Sequence, residues 1–428
     1  MYNREVETLP LEKLRKLQNE RLTNLVESVY AKVPFYKKQF DEAGLKPSDI
    51  KRVEDIHKIP FTKKTDLRDN YPFGMIAVPM DDVVRIHASS GTTGRPTVVG
   101  YNLHDLDVFD EVVARSLVAG GATSKMKMHN AYGYGLFTGG LGIHGGATKL
   151  GMGVVPISGG RTERQLMLLQ DFQPEVICCT PSYAQALGEE MQKRGISHDD
   201  INLKYAILGA EPWTEAIRNQ VEGLLNVTAT NIYGLSEIIG PGVSQEDWEE
   251  KGTGSYIWED HFYPEVVDKD TGEPLPYGKE GVLVFTTLTK QALPILRYWT
   301  NDICSIYYDS GAKRTHIKMS SIKGRSDDML IIRGVNLFHT QVEEVIDQFD
   351  FLCPNYRLIV DKKGAMDVVT VEVETKVGVD NTDENFSAIL SSAIKNTIGL
   401  SMSIDLRAPD TIPRSQGGKL NRIVDLRG

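Results

Sequence analysis

The sequence predicts an α/β protein with a large N-terminal domain, built from parallel helix-covered sheets and a β subdomain, and a small α+β C-terminal domain. Apolar runs and amphipathic stretches alternate from residue 150 to 235, which is typical of a parallel sheet with helices on both faces. Residues 256–310 are rich in strand-like segments, and a second mixed pattern begins at residue 327. Because 428 residues exceed what one core usually fills, we place the domains at 1–326 and 327–428.

The individual elements follow from hydrophobic periodicity. Residues 11–40 carry apolar side chains at helical spacing and should form packing helices. In the alternating region the predicted strands are 154–157, 176–179, 205–208 and 228–233, and the predicted helices are 162–172, 182–194 and 214–224. Further strands are predicted at 281–287, 329–333, 357–361 and 368–374, with a helix near 387–398. A capping box of Thr340 and Glu343 should begin one more C-terminal helix.

Composition narrows the class of protein. A hydrophobic fraction of 41% and a charged fraction of 25% are typical of a globular enzyme. The formal net charge of −10 argues against a nucleic-acid partner, and no apolar run reaches the roughly 18–20 residues that a membrane span needs. The polar, acidic N-terminus lacks the apolar core of a signal peptide. We therefore expect a cytoplasmic protein without a membrane partner.

One loop combines glycines, hydroxyls and a cation, and it lies between two predicted strands. Glycines there can take positive φ angles that aim backbone N–H groups into one concavity. The residues that we predict to bind phosphate are Ser89, Ser90, Gly91, Thr92, Thr93, Gly94 and Arg95. The Gly-Lys-Ser/Thr of a Walker motif is missing, and a strand follows where that motif needs a helix. A run of this composition, taken alone, is also typical of an ordinary surface loop.

Two polar motifs follow neighbouring predicted strands, at 209–211 and 233–237. Ligands in parallel sheets bind at the carboxyl ends of the strands. The two motifs should therefore converge on one crevice.

Eight segments, taken in order, resemble those of the acyl-adenylate-forming superfamily, in particular the phenylacetate–CoA ligase family. They are 60–68, 89–95, 130–140, 209–213, 233–237, 297–302, 324–334 and 417–419. The resemblance spans nearly the whole chain and implies that ATP activates an aryl acid to an acyl-adenylate, which then acylates coenzyme A. The implied cofactors are ATP, Mg²⁺ and CoA. An adenylating enzyme with a different acid or a non-CoA acceptor stays open, as does a non-catalytic protein that keeps the fold.

The resemblance also assigns roles to single residues. It places Mg²⁺ on Glu237 and the ribose hydroxyls on Asp302, with Arg325 reaching the ribose or phosphate from the domain junction. The adenine would be framed by Gly209, Ala210, Glu211, Asn231 and Tyr233, with Gly234 and Ser236 in the same motif as Glu237. Two plainer interpretations stay open, in which Glu237 caps a helix start and Asp302 is a turn aspartate.

Lys419 is the lysine that the resemblance implies for adenylation, where it would bridge the acid and the α-phosphate and then leave for thioester formation. Its plainer interpretation is a solvated charge on a glycine-flanked loop. Lys64 could stand in as the cation near the carboxylate when Lys419 is withdrawn. A homodimer is also expected.

The acid pocket is predicted from aromatic rings interleaved with glycines, because rings offer flat apolar walls and glycines leave room for a ring between them. Its residues are Tyr132, Gly133, Tyr134, Gly135 and Phe137, completed by Ala210, Ile232, Ile238 and Pro241. Tyr134 could equally be ordinary core. Trp299 replaces an arginine that is common in relatives, and the cysteines that could bind zinc near residues 249 and 311 are missing here. His261 should then be a structural histidine without an obvious partner.

Overall fold

The computed structural model describes residues 1–89, 96–326, 330–332, 335–363, 366–414 and 422–427. Within these ranges it confirms an α/β N-terminal part and a small α+β C-terminal part. The same ranges contain no helix that is both long and apolar enough to cross a membrane.

The N-terminal part begins with helices and continues into alternating helices and strands. Its helices are α1 Arg4–Glu7, α2 Leu11–Lys32, α3 Pro34–Glu42, α4 Lys64–Asp69, α5 Leu103–Ala119, α6 Thr138–Leu150, α7 Thr162–Phe172, α8 Pro181–Lys193 and α9 Glu215–Leu225. Short 3₁₀ turns lie at Pro47–Asp49, Val53–Lys58, Met80–Asp82 and His198–Asp200. The strands are β1 Arg85–Ser89, β2 Thr97–Tyr101, β3 Lys127–Asn130, β4 Gly153–Val155, β5 Val176–Cys179, β6 Tyr205–Gly209, β7 Thr228–Leu235, β8 Gly240–Glu246, β9 Ser255–Ile257, β10 Phe262–Val267, β11 Gly281–Thr287, β12 Tyr298–Cys304, β13 Ile306–Tyr307, β14 Lys318–Met319 and β15 Gly324–Arg325.

A nine-stranded sheet, in the order β13-β14-β9-β8-β7-β6-β5-β3-β4, organises the core. Strands β4, β3, β5, β6 and β7 are parallel, and the sheet turns antiparallel at β8. Along β5, Cys178 enters one apolar cluster with Val112 of α5, whereas Ile177 and Cys179 enter another with Leu187 of α8. Helices therefore cover both faces of the parallel part, as predicted.

The predicted β subdomain is a four-stranded antiparallel sheet in the order β10-β11-β12-β15. Strand β11 has the predicted bounds, and its residues Val282 to Thr287 are buried. A separate hairpin of β1 and β2 pairs Ser89 with Thr97. The glycine loop therefore connects two adjacent antiparallel strands.

The C-terminal part has its own core, in which Leu358, Val371 and Leu390 are fully buried. Its elements are β16 Leu330–Ile332, β17 Val335–Leu337, α10 His339–Ile346, β18 Leu352–Lys363, β19 Met366–Thr375, α11 Glu384–Ile398, β20 Ser403–Arg407 and β21 Ile423–Asp425. The sheet order is β20-β19-β18-β21. The boundary residue Asp327 lies outside the described residues.

The predicted capping box of Thr340 and Glu343 is wrong. The N-cap of helix α10 is Phe338, two residues before Thr340, and the backbone N–H of Phe338 donates to Gln341 Oε1 at 3.0 Å. The Thr340 hydroxyl donates instead to the carbonyl of Lys323. Glu343 is buried, accepts a hydrogen bond from the Tyr356 hydroxyl at 3.0 Å, and has its pKa raised by burial to about 7. Tertiary partners thus override the local capping pattern.

His261 is buried, as expected of a structural histidine, and it has partners that the sequence did not indicate. Its Nε2 lies 3.1 Å from Asp260 Oδ2, and its Nδ1 lies 2.7 Å from Thr289 Oγ1. Arg115 Nη1 donates to Asp260 Oδ1 at 2.8 Å. Burial alone would raise the pKa of Asp260, but His261 and Arg115 hold it well below its usual range. The histidine belongs to a buried ionic cluster.

Ion pairs join the segments near residues 249 and 311. Arg314 Nε donates to Glu7 Oε2 at 2.6 Å, and Arg314 also pairs with Asp247. Lys313 pairs with Glu249. Arg314, Glu7 and Asp247 are all buried, so these charges tie the first helix to two distant segments of the N-terminal part.

Candidate active site

The glycine loop is described only at its start. Ser89 ends β1, and its hydroxyl is buried without a hydrogen-bond partner among the described residues. The other predicted phosphate-binding residues lie outside the described residues: Ser90, Gly91, Thr92, Thr93, Gly94 and Arg95. Their roles stay predictions.

The structure brings Lys64 to Glu237. Lys64 Nζ, at the start of α4, lies 3.7 Å from Glu237 Oε1, and Glu237 is only 5% exposed. The Tyr298 hydroxyl also contacts this carboxylate, and burial together with Glu237 holds the pKa of Tyr298 well above its usual range. A cation and a phenol therefore meet at one buried carboxylate.

Lys290 contacts the backbone of Glu237, although no motif in the sequence predicted it as a site residue. Its Nζ donates to the backbone carbonyl of Glu237 at 3.2 Å and lies 4.9 Å from the centre of the Tyr101 ring. Lys290 is only 3% exposed. Burial lowers its pKa to about 8, although Asp105 and Glu237 favour the charged form. No local signal marks Lys290, because its partners come from distant parts of the chain.

Asp302 lies at the centre of a second polar group. The Tyr233 hydroxyl donates to Asp302 Oδ2 at 2.6 Å, and Arg325 Nη1 donates to Oδ1 at 3.2 Å. Strands β12 and β15 pair Asp302 directly with Arg325, which explains why the two side chains meet. Burial and the Asp302 charge raise the pKa of Tyr233 well above its usual value. The charges of Asp302 and Arg325 also reach Tyr298, which links this group to Glu237.

The two strand-end motifs converge as predicted. Strands β6 and β7 are adjacent and parallel, and Gly209 pairs with Ile232. A side chain at Gly209 would place its Cβ 2.0 Å from the Ile232 carbonyl oxygen, so only glycine fits. Ala210 follows with φ of 71°. The Asn231 backbone N–H donates to Glu246 Oε2 at 3.0 Å. Because Glu246 is on β8, this hydrogen bond links β7 to the neighbouring strand.

Glu211 is held at the start of α8. Its carboxylate accepts hydrogen bonds from the Ser182 hydroxyl at 2.9 Å and from the Ser182 backbone N–H at 3.3 Å. The predicted adenine-framing segment thus contacts the N-terminus of a helix, where a negative charge is favoured.

The β7–β8 hairpin carries the remaining residues of the 233–237 motif. Gly234 lies so close to the Gly240 carbonyl that a Cβ would be 1.9 Å from its oxygen. Ser236 Oγ lies 3.0 Å from Thr138 Oγ1, at the start of α6. This contact joins the motif to the aromatic segment that precedes α6.

The aromatic segment divides into buried and open positions. Tyr132 is buried, and Tyr134 is hydrogen-bonded to Asn130 Nδ2 at 2.7 Å, with its hydroxyl 3.1 Å from His144 Nδ1. Phe137 is 53% exposed. Among the described residues, a Cβ on either Gly133 or Gly135 would meet no atom within 4 Å, so the described part of the chain leaves space beside both glycines. Of the other predicted lining residues, Ile232 and Ile238 are buried and Pro241 is half-buried.

Arg297 lies just before β12, and Trp299 lies on β12, the strand that carries Asp302. Arg297 pairs with buried Glu265, its Nη2 lying 2.9 Å from Oε1, and Trp299 Nε1 donates to Asn301 Oδ1 at 2.8 Å. The Thr62 backbone N–H donates to the Arg297 carbonyl at 3.0 Å. These contacts hold the 60–68 segment against β12. They therefore also fix the position of Lys64, which belongs to that segment.

The described ranges hold no group of three or more His, Cys, Asp or Glu side chains arranged to bind a metal ion. Lys419, the predicted adenylation lysine, lies outside the described residues.

The parallel sheet, the antiparallel sheet whose strand β12 carries Asp302, and the small α+β C-terminal part together form the architecture of the adenylate-forming enzymes. Residues 8–289 match the AMP-binding enzyme family, and residues 334–427 match the AMP-binding enzyme C-terminal domain. The chain belongs to the AMP-binding enzyme family.

Relatives and solved structures agree with this assignment. The chain is 59% identical to the phenylacetate-coenzyme A ligase of Thermus thermophilus, over 100% of both chains. It is 52% identical to the enzyme of the same name from Aromatoleum evansii, over 99% of this chain and 96% of that one.

The structural comparison also distinguishes two arrangements of one homologue. 2-Hydroxyisobutyryl-CoA ligase is 26% identical and matches 99% of this chain and 92% of its own. The TM-score is 0.92 with its postadenylation state and 0.74 with its thioesterification state. The present arrangement of N- and C-terminal parts is therefore close to that of the postadenylation state.

Proposed function

We propose that this chain is an ATP-dependent aryl-acid–CoA ligase that activates phenylacetate or a close analogue. The observation that carries the proposal is that Tyr298 joins two polar groups, one in which Lys64 meets Glu237 and one in which Tyr233 and Arg325 meet Asp302. In the first step a carboxylate oxygen bonds to the α-phosphorus of ATP and pyrophosphate leaves. In the second step the CoA sulfur bonds to the acyl carbon and AMP leaves.

Asp302 is the proposed ribose acceptor. Its two oxygens are already oriented by Tyr233 and Arg325, so the carboxylate can accept hydroxyl donors without reorganising. Asn231 and the backbone of residues 209–211 would frame the adenine, since an amide offers both a donor and an acceptor to a base edge. The loop 89–95 would hold the β- and γ-phosphates.

Glu237 is the proposed Mg²⁺ ligand. A buried carboxylate with Lys64 Nζ at 3.7 Å supports a cation site, and hard cations bind through carboxylate, phosphate and water oxygens. Bound Mg²⁺ would neutralise charge on the triphosphate. Lys64 would then reduce the repulsion between the incoming carboxylate and ATP. Lys419 would bridge the acid and the α-phosphate during adenylation.

The proposed acid pocket is a slot for a planar ring beside Gly133 and Gly135, where space is open. Buried Tyr132 would supply an apolar wall and Phe137 would close over the ring. Burial of one ring should dominate the affinity, so long alkyl chains should be poor substrates.

Incubation with ATP, Mg²⁺, CoA and a panel of phenylacetate, benzoate, indoleacetate and straight-chain fatty acids tests this proposal. AMP and thioester are measured separately. We expect the highest kcat/KM for phenylacetate, with reduced rates for other aryl acids, because an apolar pocket discriminates by only about 1–3 kcal/mol per methylene. AMP release without thioester would favour a non-CoA acceptor, and a preference for fatty acids would contradict the pocket.

The proposal includes a cytoplasmic homodimer whose mobile C-terminal domain begins at residue 327. Light scattering of the purified protein measures the oligomeric state, and a monomer would contradict that part. Proline at position 327 would fix φ there, and we expect one half-reaction to survive and the other to fail.

A further inference from the structure

One face of α8 forms polar contacts with the C-terminal part. Gln185, Glu189 and Lys193 are spaced four residues apart and therefore lie on the same side of the helix. Each contacts one residue of the C-terminal part: Gln185 Nε2 donates to Asn355 Oδ1 at 2.9 Å, Arg414 Nε donates to Glu189 Oε2 at 3.1 Å, and Lys193 Nζ lies 2.8 Å from Asp410 Oδ2. We call these three contacts the α8 latch.

Arg414 is the best-anchored member of the α8 latch. Its Nη1 and Nη2 donate to the two carboxylate oxygens of Glu374 at 2.8 and 2.7 Å, and Glu374 is fully buried. Arg414 Nη1 also donates to the Ile412 carbonyl at 3.0 Å. A guanidinium held by such a two-pronged, charge-assisted contact has little freedom. Its remaining Nε is therefore presented to Glu189 in a fixed direction.

The α8 latch lies next to the segment that carries Lys419. Arg414 is the last described residue before 415–421, and five extended residues span at most about 18 Å. Fixing Arg414 against α8 thus limits how far Lys419 can be from the N-terminal crevice.

The latch also distinguishes between domain arrangements. The present arrangement matches the postadenylation state of 2-hydroxyisobutyryl-CoA ligase far better than its thioesterification state. Contacts across one helix face favour the arrangement in which they form, because an interaction shifts an equilibrium only by its difference between the two states.

We propose that the contact of Arg414 with Glu189 positions the C-terminal domain for adenylation and is released for thioester formation. This inference rests on the proposed function and adds a positioning pair to it. Neither residue touches substrate. The pair acts through the domain that carries Lys419.

Glu189→Gln in the full chain tests the proposal, because it removes the charge on the N-terminal side and keeps the side-chain shape. The neighbouring Glu190→Gln is the matched control, since Glu190 Oε1 pairs at 2.6 Å with Nε of Arg194, the C-cap residue of α8, and not with the C-terminal part. Adenylation is measured by ATP–pyrophosphate exchange with phenylacetate. Thioester formation is measured from pre-made phenylacetyl-adenylate and CoA. We expect Glu189→Gln to slow adenylation about fivefold to tenfold and to leave thioester formation equal or faster, while Glu190→Gln changes neither.

A native thiol gives an independent readout of the domain arrangement. All four cysteines lie in the described part of the chain, and three of them are buried. Cys353 is half-buried and lines a gap of about 290 Å³ between α9 and the C-terminal part. Because the Glu189 charge contributes to the raised pKa of Cys353, the reaction with a thiol reagent is followed as a function of pH and the rate constant of the thiolate itself is compared. Release of the latch should raise that rate constant in Glu189→Gln but not in Glu190→Gln.

The possible outcomes separate the two proposals. Equal loss of both half-reactions in Glu189→Gln, or no change in either half-reaction, would overturn the positioning role. A wild-type enzyme that adenylates no acid of the panel would contradict the proposed function instead. In that case the labelling of Cys353 still decides whether the latch holds the domains together.

Discussion

Replacing Lys290 by methionine should abolish a specific pH dependence of stability. Burial lowers the pKa of this lysine from its usual 10.5 to about 8. Asp105, which favours its charge, also accepts hydrogen bonds from the backbone N–H groups of Gln291 and Ala292 at 2.7 and 2.8 Å. The carboxylate therefore keeps two partners when the ammonium is removed.

The sign and size of this pH dependence of stability follow from proton linkage. Between about pH 8 and 10.5 the unfolded chain holds a proton that the folded protein has released, so stability rises with pH. Below pH 8 both states are protonated and the full cost of burying the ammonium is present. The two pKa values differ by about 2.5, which corresponds to a cost of about 3 kcal/mol at neutral pH. Between pH 7 and 9.5 about 2 kcal/mol of this cost is relieved.

Urea unfolding of the N-terminal domain, followed from pH 7 to 9.5, provides the measurement. The free energy of unfolding of the wild type, minus that of Lys290→Met, should rise by about 2 kcal/mol across this range, because all other titrating groups cancel in the difference. Lys125→Met, at an exposed position, is the control and should give a flat difference. A flat difference for Lys290→Met as well would refute the argument that burial of this ammonium costs free energy in the folded protein.

Further predictions concern catalysis and the glycines of the site. Lys419→Ala should slow adenylation by about 100-fold or more while leaving thioester formation from pre-made adenylate intact; equal loss in both would sink its assignment. Asp302→Asn should raise the KM for ATP about tenfold without changing the KM for the acid, and an unchanged KM for ATP would count against ribose binding. Gly209→Ala should destabilise the fold by about 3 kcal/mol, since its Cβ would lie 2.0 Å from the Ile232 oxygen, whereas Gly133→Ala should melt like the wild type but lose kcat/KM for aryl acids. Equal melting temperatures for the two alanine variants would contradict this reasoning.

The parallel sheet was predictable because its signal is local. Helix α7 and strands β5 and β11 have the bounds that the periodicity predicted, since each element buries its own apolar residues. The convergence of Gly209 with Ile232 followed from a general property of parallel sheets rather than from any contact visible in the sequence.

The buried charges were not predictable in the same way. Lys290 lies in a polar segment that is typical of a surface loop, and only the fold places Glu237 and Asp105 around it. His261 gained partners from α5 for the same reason. The capping pattern at Thr340 failed because its hydroxyl found a carbonyl in the preceding segment. Local propensity is decisive only where no tertiary partner competes.

The pairing of Glu7 with Arg314 has a consequence for synthesis on the ribosome. The two residues are 307 positions apart, and translation proceeds at roughly 5–20 residues per second, so the arginine emerges about 15 to 60 seconds after the glutamate. During that interval Glu7 cannot make its buried ion pair, and the inner face of α2 lacks the segments around Glu259 and Asp260 that it later contacts. The first helices of the nascent chain therefore cannot complete these buried polar contacts until Arg314, about three-quarters of the way along the 428 residues, has been made.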